Sequence, residues 1–179
     1  MREINCLVIH HSASASGSVD QFRAEHKAKG WADIGYHEVI SNGHGAPDGH
    51  IGQGRPHQYV GAGVFGANTG KLHVCLVGNF HRGDPGFSGK PTKAQMTALG
   101  HWLLVNGYRY GRQTGHAPPR VSDHRREAIP GHATACPGDQ FPTAYVRAWY
   151  GLFLDAHADK PEPDLAEWLD RQKNYWGKG

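Results

Sequence analysis

The feature that most constrains this chain is a set of metal-binding side chains spread over most of its length. Residues 9–12 read Ile-His-His-Ser, residues 122–125 read Ser-Asp-His-Arg, and residues 134–138 read Thr-Ala-Cys-Pro-Gly. Two imidazoles and a thiolate suit a borderline-soft cation such as zinc, with a fourth, open position left for water. The fold must therefore bring three distant segments together, and the ligand types indicate hydrolytic chemistry.

The length and composition indicate one principal domain. At 179 residues, of which 38% are apolar, the chain is long enough for a substantial core and too short for two ordinary domains. We expect the main domain over residues 1–157 and a helical appendage over residues 158–179. Because no stretch of about 18 consecutive apolar residues occurs, we expect no membrane insertion.

The opening segment and the cysteines bear on where the protein is made. Residues 1–10 enter a strand pattern directly and lack the successive regions of an export signal, so we expect synthesis in the cytoplasm without a signal peptide. The three cysteines should then stay reduced. Cys6 and Cys75 lie in apolar runs and are interpreted as small buried residues, whereas Cys136 lies in a loop-like segment. The formal charge of +3 is small and dispersed, and does not identify a partner.

The apolar periodicity predicts an α/β chain. We expect strands at residues 4–9, 36–41, 50–54 and 71–80, and a short extended element at 121–124. We expect helices at residues 19–29, 93–106, 142–156 and 164–175. His10 would then follow the first strand directly, where α/β proteins commonly place active-site groups. Residues 61–70 include four glycines and should approach either a turn or a substrate closely.

Five motifs follow one another along the chain. They are Val-Ile-His-His-Ser at 8–12, Gly-Trp-Ala-Asp-Ile-Gly-Tyr-His at 30–37, Val-Cys-Leu-Val-Gly-Asn-Phe at 74–80, Thr-Lys-Ala-Gln-Met at 92–96, and His-Arg at 124–125 with Thr-Ala-Cys-Pro-Gly at 134–138. With these motifs in this order, the chain resembles the zinc-dependent N-acetylmuramoyl-L-alanine amidase family over about residues 4–150. The family includes phage amidase lysozymes and catalytic peptidoglycan-recognition proteins. The resemblance implies a single α/β domain with a central mixed β-sheet flanked by helices, and makes residues 1–157 the catalytic domain.

The resemblance also implies one zinc ion per chain. The ligands that it assigns are His10, His124 and Cys136. His10 is preferred to the adjacent His11 because the family ligand comes immediately after the apolar strand. The interval from His124 to Cys136 is longer than in phage lysozymes and nearer that of cytoplasmic cell-wall-recycling amidases, in which the last ligand is Asp. This interval contains His132, which remains an alternative third ligand.

Four further residues receive roles from the resemblance. Tyr36 and Thr134 would orient the water and the scissile carbonyl, and His37 and Asn68 would contact the substrate. Thr134 stands where the family carries Lys or Thr, and its neutral hydroxyl would leave more of the oxyanion stabilisation to zinc. Family members often carry a histidine near the position of Gly63, so that one substrate contact would be lost in this chain.

The implied reaction is hydrolysis of the amide bond between N-acetylmuramic acid and L-alanine of peptidoglycan. The phage-like segment at residues 30–37 favours a phage or prophage endolysin that acts on the cell wall after release. Three alternatives stay open: a non-catalytic peptidoglycan-binding module, a cytoplasmic muropeptide-recycling amidase, and a lysozyme that also regulates a phage RNA polymerase. We expect a monomer whose partner is peptidoglycan or a muropeptide, without a nucleic-acid partner. Glu127 is interpreted as a surface carboxylate in preference to a catalytic base.

Overall fold

A mixed five-stranded sheet is the centre of the computed structural model, which describes residues 2–157 together with Glu167 and Asp170. The strands are β1 (Cys6–His11), β2 (Glu38–Ile40), β3 (Ile51–Gln53), β4 (Lys71–Leu76) and β5 (Arg120–Asp123). Their order across the sheet is β3-β2-β4-β1-β5. β1 runs parallel to β4 and β5, β2 runs parallel to β4, and the β2–β3 hairpin is antiparallel. This architecture confirms the expected single α/β domain with a central mixed sheet.

Helices pack on the sheet and are fixed by capping interactions. They are α1 (Val19–Ala28), α2 (Lys93–Tyr110), α3 (His124–Glu127) and α4 (Thr143–Ala156), with a 3-10 turn at Arg112–Thr114. α1 begins after Ser18, whose side chain accepts a hydrogen bond from a backbone N–H of the first turn. Thr92 and Gln95 form a reciprocal capping box at the start of α2. Both helix starts agree with the sequence-based expectation.

The two faces of the sheet differ because successive strand residues point to opposite sides. On the side that we call the core face, the strands pack with α2 and α4 in the large apolar core through Leu7, Ile9, Leu72, Val74 and Leu76. The opposite side, which we call the site face, presents Cys6, Val8, His10, His73 and Cys75. The site face of the central strands therefore carries buried histidine and cysteine side chains.

Several boundaries differ from the predictions. β1 continues through His11 because both terminal histidines pair with β4, so that His10 lies within the strand instead of after it. Tyr36 precedes β2 instead of opening it, and α2 continues to Tyr110. The predicted appendage at residues 158–179 lies outside the described residues except for Glu167 and Asp170. Within the described part of the chain, no helix has the length and apolar character needed to cross a bilayer.

Candidate active site

The three predicted metal ligands lie together on the site face. His10 belongs to β1, His124 begins α3, and Cys136 lies in the segment between α3 and α4. One ligand atom of each lies within 4.8 Å of the others, and His10 Nδ1 is 3.8 Å from Cys136 Sγ. Usual zinc–nitrogen and zinc–sulfur bond lengths place two tetrahedral ligand atoms about 3.5 Å apart. The three residues therefore fit an ion of this size.

Strand pairing brings the two histidine ligands side by side. β1 and β5 are parallel neighbours in which Ile9 is paired with Asp123, so the next residue of each chain segment is a ligand. The imidazole centroids of His10 and His124 are 4.9 Å apart. Asp123 caps α3, with Oδ1 accepting the backbone N–H of Arg126 at 2.9 Å. This cap turns the chain at His124 and presents its side chain to the site.

Cys136, the predicted cysteine ligand, accepts hydrogen bonds from α3 and from β1. The backbone N–H of Arg125 donates to the carbonyl of Cys136 at 3.0 Å, and the backbone N–H of His11 donates to Cys136 Sγ at 3.4 Å. Gly138 has φ of +97°, and a Cβ there would lie 2.3 Å from the carbonyl carbon of Phe80. Only glycine fits this close approach, which explains the last position of the Thr-Ala-Cys-Pro-Gly motif.

Burial shifts the pKa of each predicted ligand side chain. It lowers the pKa of His10 well below its usual value, and the imidazoles of His73 and His124 act in the same direction. Burial also lowers the pKa of His124. The thiol of Cys136 is affected oppositely, because burial raises its pKa to about 12 against the hydrogen bond from His11. Two neutral imidazoles with available lone pairs and a buried thiol that a nearby cation would ionise suit zinc.

The two predicted catalytic hydroxyls border the ligands. Tyr36 is half-buried, and its ring centroid is 5.2 Å from that of His10. Burial, followed by the neighbouring Cys75, raises the pKa of Tyr36 well above its usual value, so the phenol keeps its proton and can donate a hydrogen bond. Thr134 Oγ1 accepts the backbone N–H of Cys136 at 3.2 Å, an interaction that uses the oxygen and not the hydroxyl hydrogen.

Arg55 holds the segment that carries Tyr36, and the motif analysis missed it. Its backbone N–H donates to the carbonyl of Tyr36 at 2.9 Å. Its guanidinium donates at 2.7 to 2.9 Å to the carbonyls of Asp33, Ile34 and Val60. An arginine whose partners are all backbone carbonyls leaves no side-chain pattern in the sequence, so only the fold reveals this role.

The two predicted substrate contacts are placed differently from each other. His37 is fully buried, with Nδ1 accepting the backbone N–H of His73 at 3.0 Å and Nε2 lying 3.2 Å from the carbonyl of Tyr59. Both ring nitrogens thus face groups of this chain, since the guanidinium of Arg2 also lies 3.3 Å from Nε2, and the predicted substrate contact of His37 has no support from this position. Asn68 is half-buried and its Oδ1 accepts the backbone N–H of Val64 at 2.8 Å. It shapes the glycine-rich loop, and its contact with substrate stays a prediction.

Two residues with open interpretations lie outside the ligand set. His132 is exposed and stacks on Phe65 with ring centroids 4.0 Å apart, and it is not a member of the metal-binding cluster formed by the described residues. The structure thus favours Cys136 as the third ligand. Glu127 is not the surface carboxylate that we expected, because its side chain is only 9% exposed. It pairs with Arg120 at 2.6 Å and with Lys71 at 3.3 Å, which also leaves it no role as a base.

His73 is a further site residue that sequence reasoning missed. It lies in β4 and is fully buried, with Nδ1 3.0 Å from His10 Nε2. The available signal was the alternation of β4, in which Lys71, His73 and Cys75 alternate with aliphatic residues and so share one face. Cys75 is buried as expected, but on the site face.

The chain is similar to known proteins in sequence and in structure. Residues 1–139 match the family described as N-acetylmuramoyl-L-alanine amidase. The chain is 36% identical over 113 residues to the endolysin of Klebsiella phage KP32, an alignment that covers 61% of this chain and 70% of that protein. It is 36% identical over 105 residues to the endolysin of Escherichia phage T7, covering 56% of this chain and 65% of that protein.

Solved structures agree with the sequence relatives. The endolysin N-acetylmuramoyl-L-alanine amidase LysCS from Clostridium intestinale has a TM-score of 0.60 and 26% identity, covering 82% of this chain and 83% of that chain. The complex of the ectodomains of peptidoglycan recognition proteins LCa and LCx with tracheal cytotoxin has a TM-score of 0.63 and 27% identity, covering 83% and 84%. Together with the match over residues 1–139, these likenesses show that the chain belongs to the N-acetylmuramoyl-L-alanine amidase family, as its five motifs predicted.

Proposed function

We propose that the protein is a zinc-dependent N-acetylmuramoyl-L-alanine amidase that works as a phage or prophage endolysin. Membership of the family supplies the reaction class, hydrolysis of the amide bond between N-acetylmuramic acid and L-alanine of peptidoglycan. The observation that carries the zinc proposal is the convergence of His10, His124 and Cys136 within 4.8 Å. The similarity to endolysins of two phages supports action on the cell wall, and synthesis in the cytoplasm is part of the proposal.

Each proposed site residue has a separate role in the hydrolysis of the amide bond. A zinc ion held by the three ligands would lower the pKa of its water toward neutrality and polarise the scissile carbonyl. Tyr36 stays protonated, and its phenol would donate a hydrogen bond to the carbonyl oxygen as negative charge develops there. Thr134, on the cysteine segment, would offer a second, neutral hydroxyl for orienting the water or the carbonyl.

The assembled ligands and the comparisons also bear on what the protein binds and on the extent of its catalytic domain. A recognition module needs no complete ligand set, so the three assembled ligands support catalysis over binding alone. The solved neighbour with tracheal cytotoxin supports a muropeptide as the bound unit. We assign the catalytic domain to residues 1–157, because the family match covers residues 1–139 and α4 packs in the apolar core. A monomer with one zinc ion per chain is part of the proposal.

Product analysis tests the bond that is cleaved. Digestion of intact sacculi should release free N-terminal L-alanine without new reducing sugar ends, because glycosidases instead use paired carboxylates at the sugar oxygen. A chelator should stop the reaction, and added zinc should restore it. New reducing ends without free alanine would contradict the amidase proposal. Tight muropeptide binding with neither product would favour a recognition module, and cleavage of soluble muropeptides but not sacculi would favour a recycling enzyme.

A further inference from the structure

The site face carries a buried histidine directly beside the ligand His10. His73 in β4 is 0% exposed, its Nδ1 is 3.0 Å from His10 Nε2, and the two ring centroids are 5.2 Å apart. In the parallel pairing of β1 and β4, His73 lies opposite Val8, two residues before His10 on the same face. We propose that His73 is a positioning residue that fixes the ring orientation and the tautomer of His10 for metal binding. This inference rests on the metal centre proposed above.

The direction of the hydrogen bond follows from which His10 nitrogen faces the other ligands. His10 Nδ1 lies 3.8 Å from Cys136 Sγ, so Nδ1 is the ligand atom and must keep its lone pair free. A neutral His10 then carries its proton on Nε2 and donates it to His73 Nδ1. A ligating histidine commonly donates its other N–H in this way, and the acceptor holds the ring in the tautomer that the metal needs.

The remaining nitrogen of His73 shows that packing alone does not explain this residue. With Nδ1 as acceptor, a neutral His73 carries its own proton on Nε2. This atom is buried and has no hydrogen-bond partner among the described residues. A buried donor without a partner is destabilising, so an aliphatic side chain would serve the fold better at this position. The hydrogen bond to His10 is the interaction that accounts for a histidine here.

Two glycines of the loop make room for the histidine pair. A Cβ at Gly63 would lie 2.6 Å from His73 Nδ1 and 2.9 Å from His10 Nε2. A Cβ at Gly61 would lie 2.5 Å from His73 Cδ2. Neither glycine is among those with positive φ, so space and not backbone conformation requires them. Gly63 therefore allows the loop to approach the two imidazoles closely, and the loss of a substrate contact at this position stays a prediction.

His37 contacts both the ring and the backbone of His73. The two rings are stacked, with centroids 5.6 Å apart and planes inclined by 12°. His37 Nδ1 also accepts the backbone N–H of His73 at 3.0 Å. The ring of His73 is therefore confined between His37 and the glycines, which gives His10 a rigid acceptor.

The test compares two substitutions of His73. His73→Asn keeps an acceptor oxygen close to the position of Nδ1, whereas His73→Leu fills the space without an acceptor. We expect His73→Leu to bind zinc about 10- to 100-fold more weakly, the usual effect of removing the partner of a ligating histidine, and His73→Asn to recover most of the affinity. Competition with a chromogenic chelator measures the affinity. The visible spectrum of the cobalt-substituted protein reports the ligand geometry, and it should change in His73→Leu but not in His73→Asn.

Leu99→Ala is the matched control for general destabilisation. Leu99 is fully buried in α2 and belongs to the apolar core on the core face, so its truncation should lower the free energy of unfolding and leave zinc affinity unchanged. Gly63→Ala should weaken zinc binding by forcing the two rings apart. Equal zinc affinity in His73→Leu and the unaltered protein would overturn the inference while leaving the metal centre intact, and equal losses in His73→Leu and His73→Asn would overturn the hydrogen bond as its basis. If the unaltered protein binds no zinc, the proposed metal centre fails and the inference fails with it.

Discussion

The core face and the site face of the central sheet are built from the same two strands and serve opposite requirements. On the core face, β1 and β4 contribute aliphatic side chains to the apolar core, which also contains residues of α2 and α4. These side chains are Leu7, Ile9, Leu72, Val74 and Leu76. On the site face, the residues between them include His10, His73 and Cys75, all buried. Burial of polar groups is destabilising unless they find partners, whereas burial of aliphatic groups is the main stabilising contribution. Adjacent residues of one strand thus have different functions. Those on the core face stabilise the fold, and those on the site face supply polar groups to the candidate active site.

The largest expected contrast compares adjacent residues of β1. Ile9→Ala on the core face should lower the free energy of unfolding by about 2 to 5 kcal/mol and keep stoichiometric zinc. His10→Ala on the site face should abolish zinc retention and amidase activity together, because a ligand is lost. Metal analysis of the folded protein and denaturant unfolding measure the two effects. Loss of zinc from folded Ile9→Ala would mean that the two faces are not separable.

Two tyrosines provide the next contrast. Tyr36→Phe should keep the fold and the metal but reduce turnover about 100- to 1000-fold, the range found when one donor to a developing oxyanion is removed. Tyr150→Phe removes a core-face hydroxyl that has no hydrogen-bond partner among the described residues, so turnover should not change. Steady-state kinetics on sacculi compares the variants. Undiminished turnover in Tyr36→Phe would assign that ring to packing.

Two threonines give a smaller contrast of the same kind. Thr134→Val should also reduce turnover, but by a smaller factor than Tyr36→Phe. A neutral aliphatic alcohol is a weaker hydrogen-bond donor to an oxyanion than a phenol. Thr143→Val, at the start of α4, removes a buried hydroxyl without a partner in the described part of the chain and serves as the control. Matching kinetics for the two variants would exclude Thr134 from the reaction.

The smallest effect concerns the ion pairs of Glu127, which link α3 to Lys71 of β4 and to Arg120 of β5. Burial alone would raise the pKa of Glu127, yet hydrogen bonds from Arg120 and Ser122 hold it at about 2, below its usual 4.5. A lowered folded-state pKa stabilises the protein above about pH 4.5, and this contribution is lost as the pH falls toward 2. Because Arg120 is largely exposed, Glu127→Gln should lower the unfolding free energy by roughly 1 kcal/mol at pH 7. Urea unfolding across this pH range should show the difference from the unaltered protein disappearing in acid, and a constant difference would contradict the ion-pair origin.

Sequence motifs predicted the parts of the site that depend on residue type at a fixed local position. The three ligands, Tyr36 and Thr134 were predicted in this way. The structure brings the three predicted ligands together, with Tyr36 beside His10 and Thr134 beside Cys136, and the roles of these residues stay predictions. The roles of His73 and Arg55 were missed because each depends on contacts between distant segments, through the register of β1 with β4 and through backbone carbonyls. The motif also assigned His37 to the substrate but could not show that its ring nitrogens face groups of the folded chain, because a motif gives the residue type and not the orientation of the ring.

The cysteine segment has a consequence for the timing of assembly on the ribosome. His10 and Cys136 are 126 residues apart along the chain, although their side chains are 3.8 Å apart in the finished protein. During translation His10 emerges long before Cys136, so the proposed ligand set is incomplete until late in synthesis. Binding of the proposed zinc ion would then stabilise only chains that already contain all three residues. Products that terminate before Cys136 would lack one proposed ligand and would not gain this stabilisation.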